Sequence, residues 1–227
     1  LNITLGLFSG GAHSDAGNYI TLAIQIVQQN DWSQLILTFD GREVFSIWLF
    51  VLVIFMKVFG ANWMVAVFIT SAFGTLSIFV FYQLMKLYFT EKSSFFLSLS
   101  LAFTPVFLVI SHNALYDALF IFIYLSSLYY FFRYFQTNQQ KYIMYSGFIG
   151  SLLAFVHGAG YPYIFLIWLS FPLFYYPKQK LIMNWLIFSI VVGFLPIVQM
   201  MVWKFWVYNS FYPYQALSHD WLVKMNS

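Results

Sequence analysis

Seven apolar runs follow an opening polar stretch, at Val44–Phe59, Trp63–Leu87, Phe95–Ile110, Ala118–Phe135, Tyr142–Val156, Tyr161–Tyr175 and Leu181–Trp203. Several approach or exceed the roughly 20 residues that cross a hydrocarbon core. They are spread from end to end, so neither a signal peptide nor a soluble domain accounts for them. The pattern predicts an all-α fold, a polytopic transmembrane helix bundle forming a single domain over 1–227. Within it, 1–62 is read as an outer loop with interfacial helices, 63–203 as the transmembrane helices and 204–227 as a second outer loop.

The loops orient the bundle. Cationic residues beside membrane helices favour the cytoplasm. Three loops carry them: "KLYFTEKS" with Lys86 and Lys92, "RYFQTNQQKY" with Arg133 and Lys141, and "YPKQK" with Lys178 and Lys180. They alternate with "SHNALYD" (Ser111–Asp117), with "VHGAGYP" (Val156–Pro162) and with everything after Trp203, which are therefore expected outside. Val44–Phe59 is short for a span and carries Lys57 before Gly60 and Asn62, which suits an in-plane helix at the outer surface. About six spanning helices plus that surface helix result. Asp15, Asp40, Arg42, Glu43, His112, Asp117, His157 and the tail from Lys204 to Lys224 then share one face. The chain opens with Leu1 and stops in a polar stretch, so further segments are expected beyond both ends.

Composition agrees. The chain is 62% hydrophobic, 24% aromatic and 7% charged, with mean hydropathy +0.78, against about 25% charged residues in soluble domains. The net charge of +3 is modest and sits in short loops, which argues against a nucleic-acid partner. Cysteine is absent, which excludes disulfides and thiol chemistry.

The polar residues are ordered in a suggestive way. An acidic residue opens the first outer stretch in "SDAGNYITLA", followed by "DGREVFSIWLFVLVIFMKVFG", the long run Trp63–Leu87 closing in a basic loop, "FTPVFLVISHNALYDALFIF", and "GFIGSLLAFVHGAGYPYIFL". From Asp15 to about Pro177 this order resembles the GT-C glycosyltransferases that use polyprenyl-phosphate sugars, the superfamily of protein O-mannosyltransferases and lipid A aminoarabinose transferases. The sequence departs from that pattern in two places. The family's acidic pair is Asp15-Ala16 here, and Glu43-Val44 stands where relatives have Pro-Pro. His157 also occupies a position where many relatives have Lys.

The resemblance implies transfer of a sugar from a polyprenyl-phosphate donor to a lipid, glycan or protein acceptor on the extracytoplasmic or periplasmic face of the plasma (inner) membrane. An acceptor hydroxyl needs a positioned base, a role the resemblance gives to Asp15, with Asp117 as a second catalytic carboxylate. Ser14 or Asp15 also suits an N-cap of a helix starting near Ala16. Arg42, His157 and Lys204 are the outward cations suited to the lipid phosphate. His112, near Asp117, and Tyr19 complete the substrate-binding candidates. No spacing is a dedicated metal-ligand signature, so no metal is predicted, although histidines and carboxylates on one face leave room for a divalent ion. Two other readings compete: a transporter, which requires ionisable groups at midplane, and a non-catalytic GT-C-like subunit of a larger membrane complex.

Overall fold

A computed structural model of the chain describes residues 15–30, 32, 36–39, 42–156, 160–174, 183–194 and 198. Helix α1 covers Asp15–Gln29, one residue earlier than its expected start at Ala16. A two-stranded antiparallel ribbon follows, β1 Ile36–Phe39 and β2 Arg42–Phe45, with Phe39 paired to Arg42 and Ile36 to Phe45. The connection is the dipeptide Asp40-Gly41, a combination that favours two-residue hairpin loops. Val44 and Phe45, counted with the first apolar run, therefore belong to β2. Helix α2, Ile47–Phe59, starts where the Ser46 hydroxyl accepts from the Leu49 N–H at 3.3 Å and ends at Gly60, whose φ of 98° only glycine adopts without strain. Its 13 residues cover about 20 Å, too short for a span.

The bundle follows: α3 Trp63–Met85, α4 Glu91–Ala102, α5 Pro105–His112, α6 Asp117–Thr137, α7 Gln140–Ser151, α8 Leu153–Val156 and α9 Gly160–Phe174. Helix α10, Met183–Phe194, closes the described part. Among the described residues two helices, α3 and α6, are long and apolar enough to cross a membrane, and α4 with α5 makes a third if the bent pair is one span. The fold is the expected helical membrane bundle, with the small ribbon added in its first stretch.

The 64° bend between α4 and α5 has a chemical cause. Pro105 lacks an N–H and starts α5, and it drives the preceding Thr104 into an extended conformation, φ −66° and ψ 123°. At the other end of α6, Asn138 stops the helix in the left-handed region, φ 53°.

Contacts fix the helix directions. Phe73 meets Phe122 at 5.5 Å and Tyr88 meets Phe132 at 5.6 Å, so α3 and α6 run parallel. Tyr163 of α9 lies 5.1 Å from Tyr124, and Ile167 packs in the cluster of Phe131, so α9 follows the same sense. Helix α7 opposes α6 through a reciprocal pair, in which the Ser127 hydroxyl donates to the Ser146 carbonyl and the Ser146 hydroxyl to the Ser127 carbonyl, both at 2.9 Å. Among the described helices, α3, α6 and α9 thus run in one direction and α7 in the other.

Close approach between helices is purchased with small side chains, as expected where lipid supplies no hydrophobic drive. A Cβ on Gly74 would stand 2.4 Å from the Ser111 hydroxyl, and one on Gly150 would stand 2.8 Å from that of Ser127. Helices α1 and α2 pack differently. Ile20, Ala23 and Ile26 meet Trp48, Leu49, Leu52 and Met56 in an aliphatic cluster that also takes in Val65, Leu119 and Val156. That cluster sits where α3 and α6 begin and α8 ends, so the first described residues cap the end opposite the basic loops.

Candidate functional site

Helix α6 begins at Asp117, so the carboxylate stands in its first turn, where the helix dipole favours negative charge. From there Phe120, Ile121, Tyr124 and Leu125 follow at three- and four-residue spacings and face one cavity of about 530 Å³. The opposite walls come from Phe81 of α3, Leu101 of α4, Phe107 and Ile110 of α5, and Tyr163 of α9. The bend at Thr104-Pro105 lets residues on both sides of the break line the same space. Along α6 the cavity descends eight residues from Asp117 to Leu125, about 12 Å. The end at the start of α6 carries a carboxylate and Tyr116, and the rest of the lining is aliphatic or aromatic.

The Asp117 end of the cavity is tied to the first helix. Tyr19 sets its ring edge-on against Tyr116, centroids 6.1 Å apart. Asp15 opens α1 four residues before Tyr19, so the two occupy neighbouring turns of one helix face. The structure therefore brings α1, through Tyr19, beside the start of α6 with Asp117. His112 ends α5 and is exposed; its Nδ1–H donates to the Leu108 carbonyl at 2.8 Å, and it is not part of the cavity wall. Arg42 is the first residue of β2. His157 and Lys204 lie outside the described residues. Among the described residues no three His, Asp or Glu side chains converge as metal ligands.

Tyr116, Tyr124 and the cavity's apolar wall were not among the sequence candidates. Part of the signal was present: Asp117, Phe120, Ile121 and Tyr124 keep the i, i+3, i+4, i+7 rhythm of one helix face. Phe81, Leu101 and Phe107 come from other helices, and nothing in their local sequence marks them. Tyr163 packs between Phe120 at 5.3 Å and Tyr124 at 5.1 Å, so three rings form one aromatic wall below Asp117.

No curated protein and no solved structure shows a significant match to the chain. A family comparison does: residues 47–203 match the dolichyl-phosphate-mannose-protein mannosyltransferases. The matched stretch contains His112, Asp117, His157 and the whole described lining of the cavity, whereas Asp15, Tyr19 and Arg42 precede it and Lys204 follows it. A helical membrane bundle that matches this family over most of its length is a GT-C-type membrane glycosyltransferase, and the chain belongs to the dolichyl-phosphate-mannose-protein mannosyltransferase family.

Proposed function

We propose that the chain moves a sugar from a polyprenyl-phosphate donor to an acceptor hydroxyl at the end of the bundle capped by α1 and α2, facing the extracytoplasmic side of the plasma (inner) membrane. The observation that carries this reading is the cavity lining, which has Asp117 at the end where α6 starts and aromatic and aliphatic side chains along the next two turns or so. Its roughly 530 Å³ falls within the usual range of small-molecule sites, about 300–1,000 Å³. A substrate with a polar head and a hydrocarbon tail fits that lining with its head at Asp117.

The reaction is a displacement at the anomeric carbon. The acceptor oxygen forms the new glycosidic bond as the carbon–oxygen bond to the lipid phosphate breaks, and the lipid phosphate leaves with the bonding pair. The acceptor proton passes to a carboxylate. Asp15 takes that role in this reading, because α1 is anchored to the Asp117 end of the cavity through Tyr19 and Tyr116, while Asp117 holds sugar or acceptor hydroxyls inside the cavity. The leaving phosphate draws on Arg42, His157 and Lys204 for positive charge. The family name points to mannose as the sugar and to protein as the acceptor.

The test is transfer of labelled mannose from polyprenyl phosphate by the purified full chain in lipid. Asp15→Asn keeps the side-chain size and removes the base, so turnover is expected to fall by about 100-fold or more. Asp117→Asn is expected to lower activity chiefly through weaker substrate use. Wild-type turnover in a folded Asp15→Asn variant removes the base from Asp15, and full activity in both variants defeats the reading of the site.

A further inference from the structure

The basic end of the bundle holds a second arrangement that the transferase reading leaves unused. The guanidinium of Arg133, near the end of α6, lies over two rings, 5.5 Å from the centroid of Tyr129 and 5.0 Å from that of Tyr142, and it also donates to the Tyr129 hydroxyl. The Lys141 ammonium lies 5.1 Å from the same Tyr142 ring. Two cations thus converge on one tyrosine. Among the described residues neither has an ion pair; the pair at this end joins Lys86 to Glu91 at 3.1 Å. In the two basic loops, 86–92 and 133–141, Glu91 is the sole acidic residue beside Lys86, Lys92, Arg133 and Lys141.

The loops are held together. Gln136 Nε2 donates to the Leu87 carbonyl, and the Tyr88 ring stands edge-on to Phe132 at 5.6 Å. The charge is therefore concentrated at the joined ends of α3, α6 and α7. Beside it runs an exposed apolar rim: Met144, Tyr145 and Phe148 on α7, and Tyr88 and Phe89 after α3. Tyr130 links Tyr142 to Tyr145, with centroids 6.2 and 5.5 Å away.

We infer that this end binds the phosphate headgroup of an anionic phospholipid, with Arg133 and Lys141 on the phosphate and the α7 rim against the first part of the acyl chains. Three features support it. Arg presents a fork that matches phosphate oxygens. The ring contacts hold the guanidinium in place, which lowers the entropy lost on binding. The adjoining apolar rim favours a phosphate carried on a lipid over a phosphate ion in water. The site is at the opposite end from the cavity and does not depend on the transferase reading.

The test is native mass spectrometry of the delipidated full chain in detergent, titrated separately with phosphatidylglycerol and phosphatidylcholine. Phosphatidylglycerol should be retained about 25-fold better, since each of the two cations near an anionic headgroup contributes about a fivefold preference. Arg133→Gln should remove most of that preference and Arg133→Lys only part. Lys57→Gln, at the other end, should leave it intact. Equal retention of the two lipids, or an unchanged preference in Arg133→Gln, overturns the proposal. An equal loss in Lys57→Gln does so too, because it assigns the preference to overall charge. Displacement of phosphatidylglycerol by millimolar inorganic phosphate would replace a lipid site with a simple anion site. If Arg133→Gln fails to fold, the exposed Lys141→Gln decides: a loss of several-fold in preference supports the site, and none sinks it.

Discussion

The α1–α2 layer and the α3–α10 bundle are both helical and both apolar, yet only the bundle adds close contacts between small residues to its packing of large ones. In the layer, large side chains close the space: Trp48, Leu49, Leu52, Val53 and Met56 of α2 are all fully buried. In the bundle the closest approaches are made by the smallest residues, Gly74 on Ser111, Gly150 on Ser127, and Ser127 with Ser146, beside a cluster of Phe131, Tyr134, Ile143 and Phe188, while other large side chains such as Phe79, Phe95, Phe103 and Phe148 point outward. The difference follows from the solvent. Burying Leu is favourable when water is the alternative, but lipid is as apolar as Leu, so membrane helices gain by close backbone approach and by hydrogen bonds between them.

That contrast can be broken from either side, and the largest effect should come from the layer. Leu52→Ala leaves a hole in a core that cannot fully collapse, so a loss of about 2–5 kcal/mol is expected, read as earlier protease cleavage between α1 and α2 with the bundle still intact. Simultaneous loss of both regions would show that they are one cooperative unit. Next comes Gly74→Val, which forces a branched side chain against Ser111 and should cost about 1–3 kcal/mol, measured by unfolding in mixed detergent. The same change toward bulk at an outward position such as Ser100, which is exposed, should be nearly silent. Smaller still is Ser127→Ala, where the hydroxyl bond across α6 and α7 contributes about 0.6 kcal/mol by the average for membrane helices; a loss as large as that of Leu52→Ala would erase the distinction between the regions.

The smallest expected effect lies at the exposed pair of Lys86 and Glu91. The hydrogen bond from Lys86 to Glu91 holds the ammonium above its ordinary value of 10.5. Because the folded value is raised, the contribution of Lys86 is complete below the unfolded value and disappears as pH rises through the folded one. Lys86→Met should therefore lower thermal stability slightly near neutrality and match the wild type above that range. A difference that persists in strong alkali would assign the loss to packing of the lysine stem.

The sequence made the bundle and its alternation legible because the charges it could use, Lys86, Lys92, Arg133 and Lys141, lie in loops whose order alone sets direction. Asp117 was legible for a similar reason, as an isolated carboxylate between two apolar runs. The ribbon was not seen, although "ILTFDGREVF" carries an Asp-Gly hairpin signal; its "DGREVF" half was read through the resemblance as the approach to a helix. The cavity wall was half legible. Phe120 and Tyr124 share a helix face with Asp117, but Phe81 comes from α3, and Leu101 and Phe107 line one space across the bend at Pro105, whose size is set by packing that a single sequence does not display.

The elbow at Thr104 has a consequence for amide exchange. A proline in a helix normally leaves carbonyls waiting for a neighbour or a water. Here the Thr104 N–H donates to the Leu101 carbonyl at 3.1 Å and the Thr104 hydroxyl to the Ser100 carbonyl at 2.9 Å. The break that Pro105 makes is tied down by the residue just before it. Deuterium should therefore enter slowly at Phe103 and Thr104, as slowly as in the turns on either side, and Thr104→Val, which keeps the shape but frees the Ser100 carbonyl, should turn that quiet corner into the fastest-exchanging point along α4 and α5.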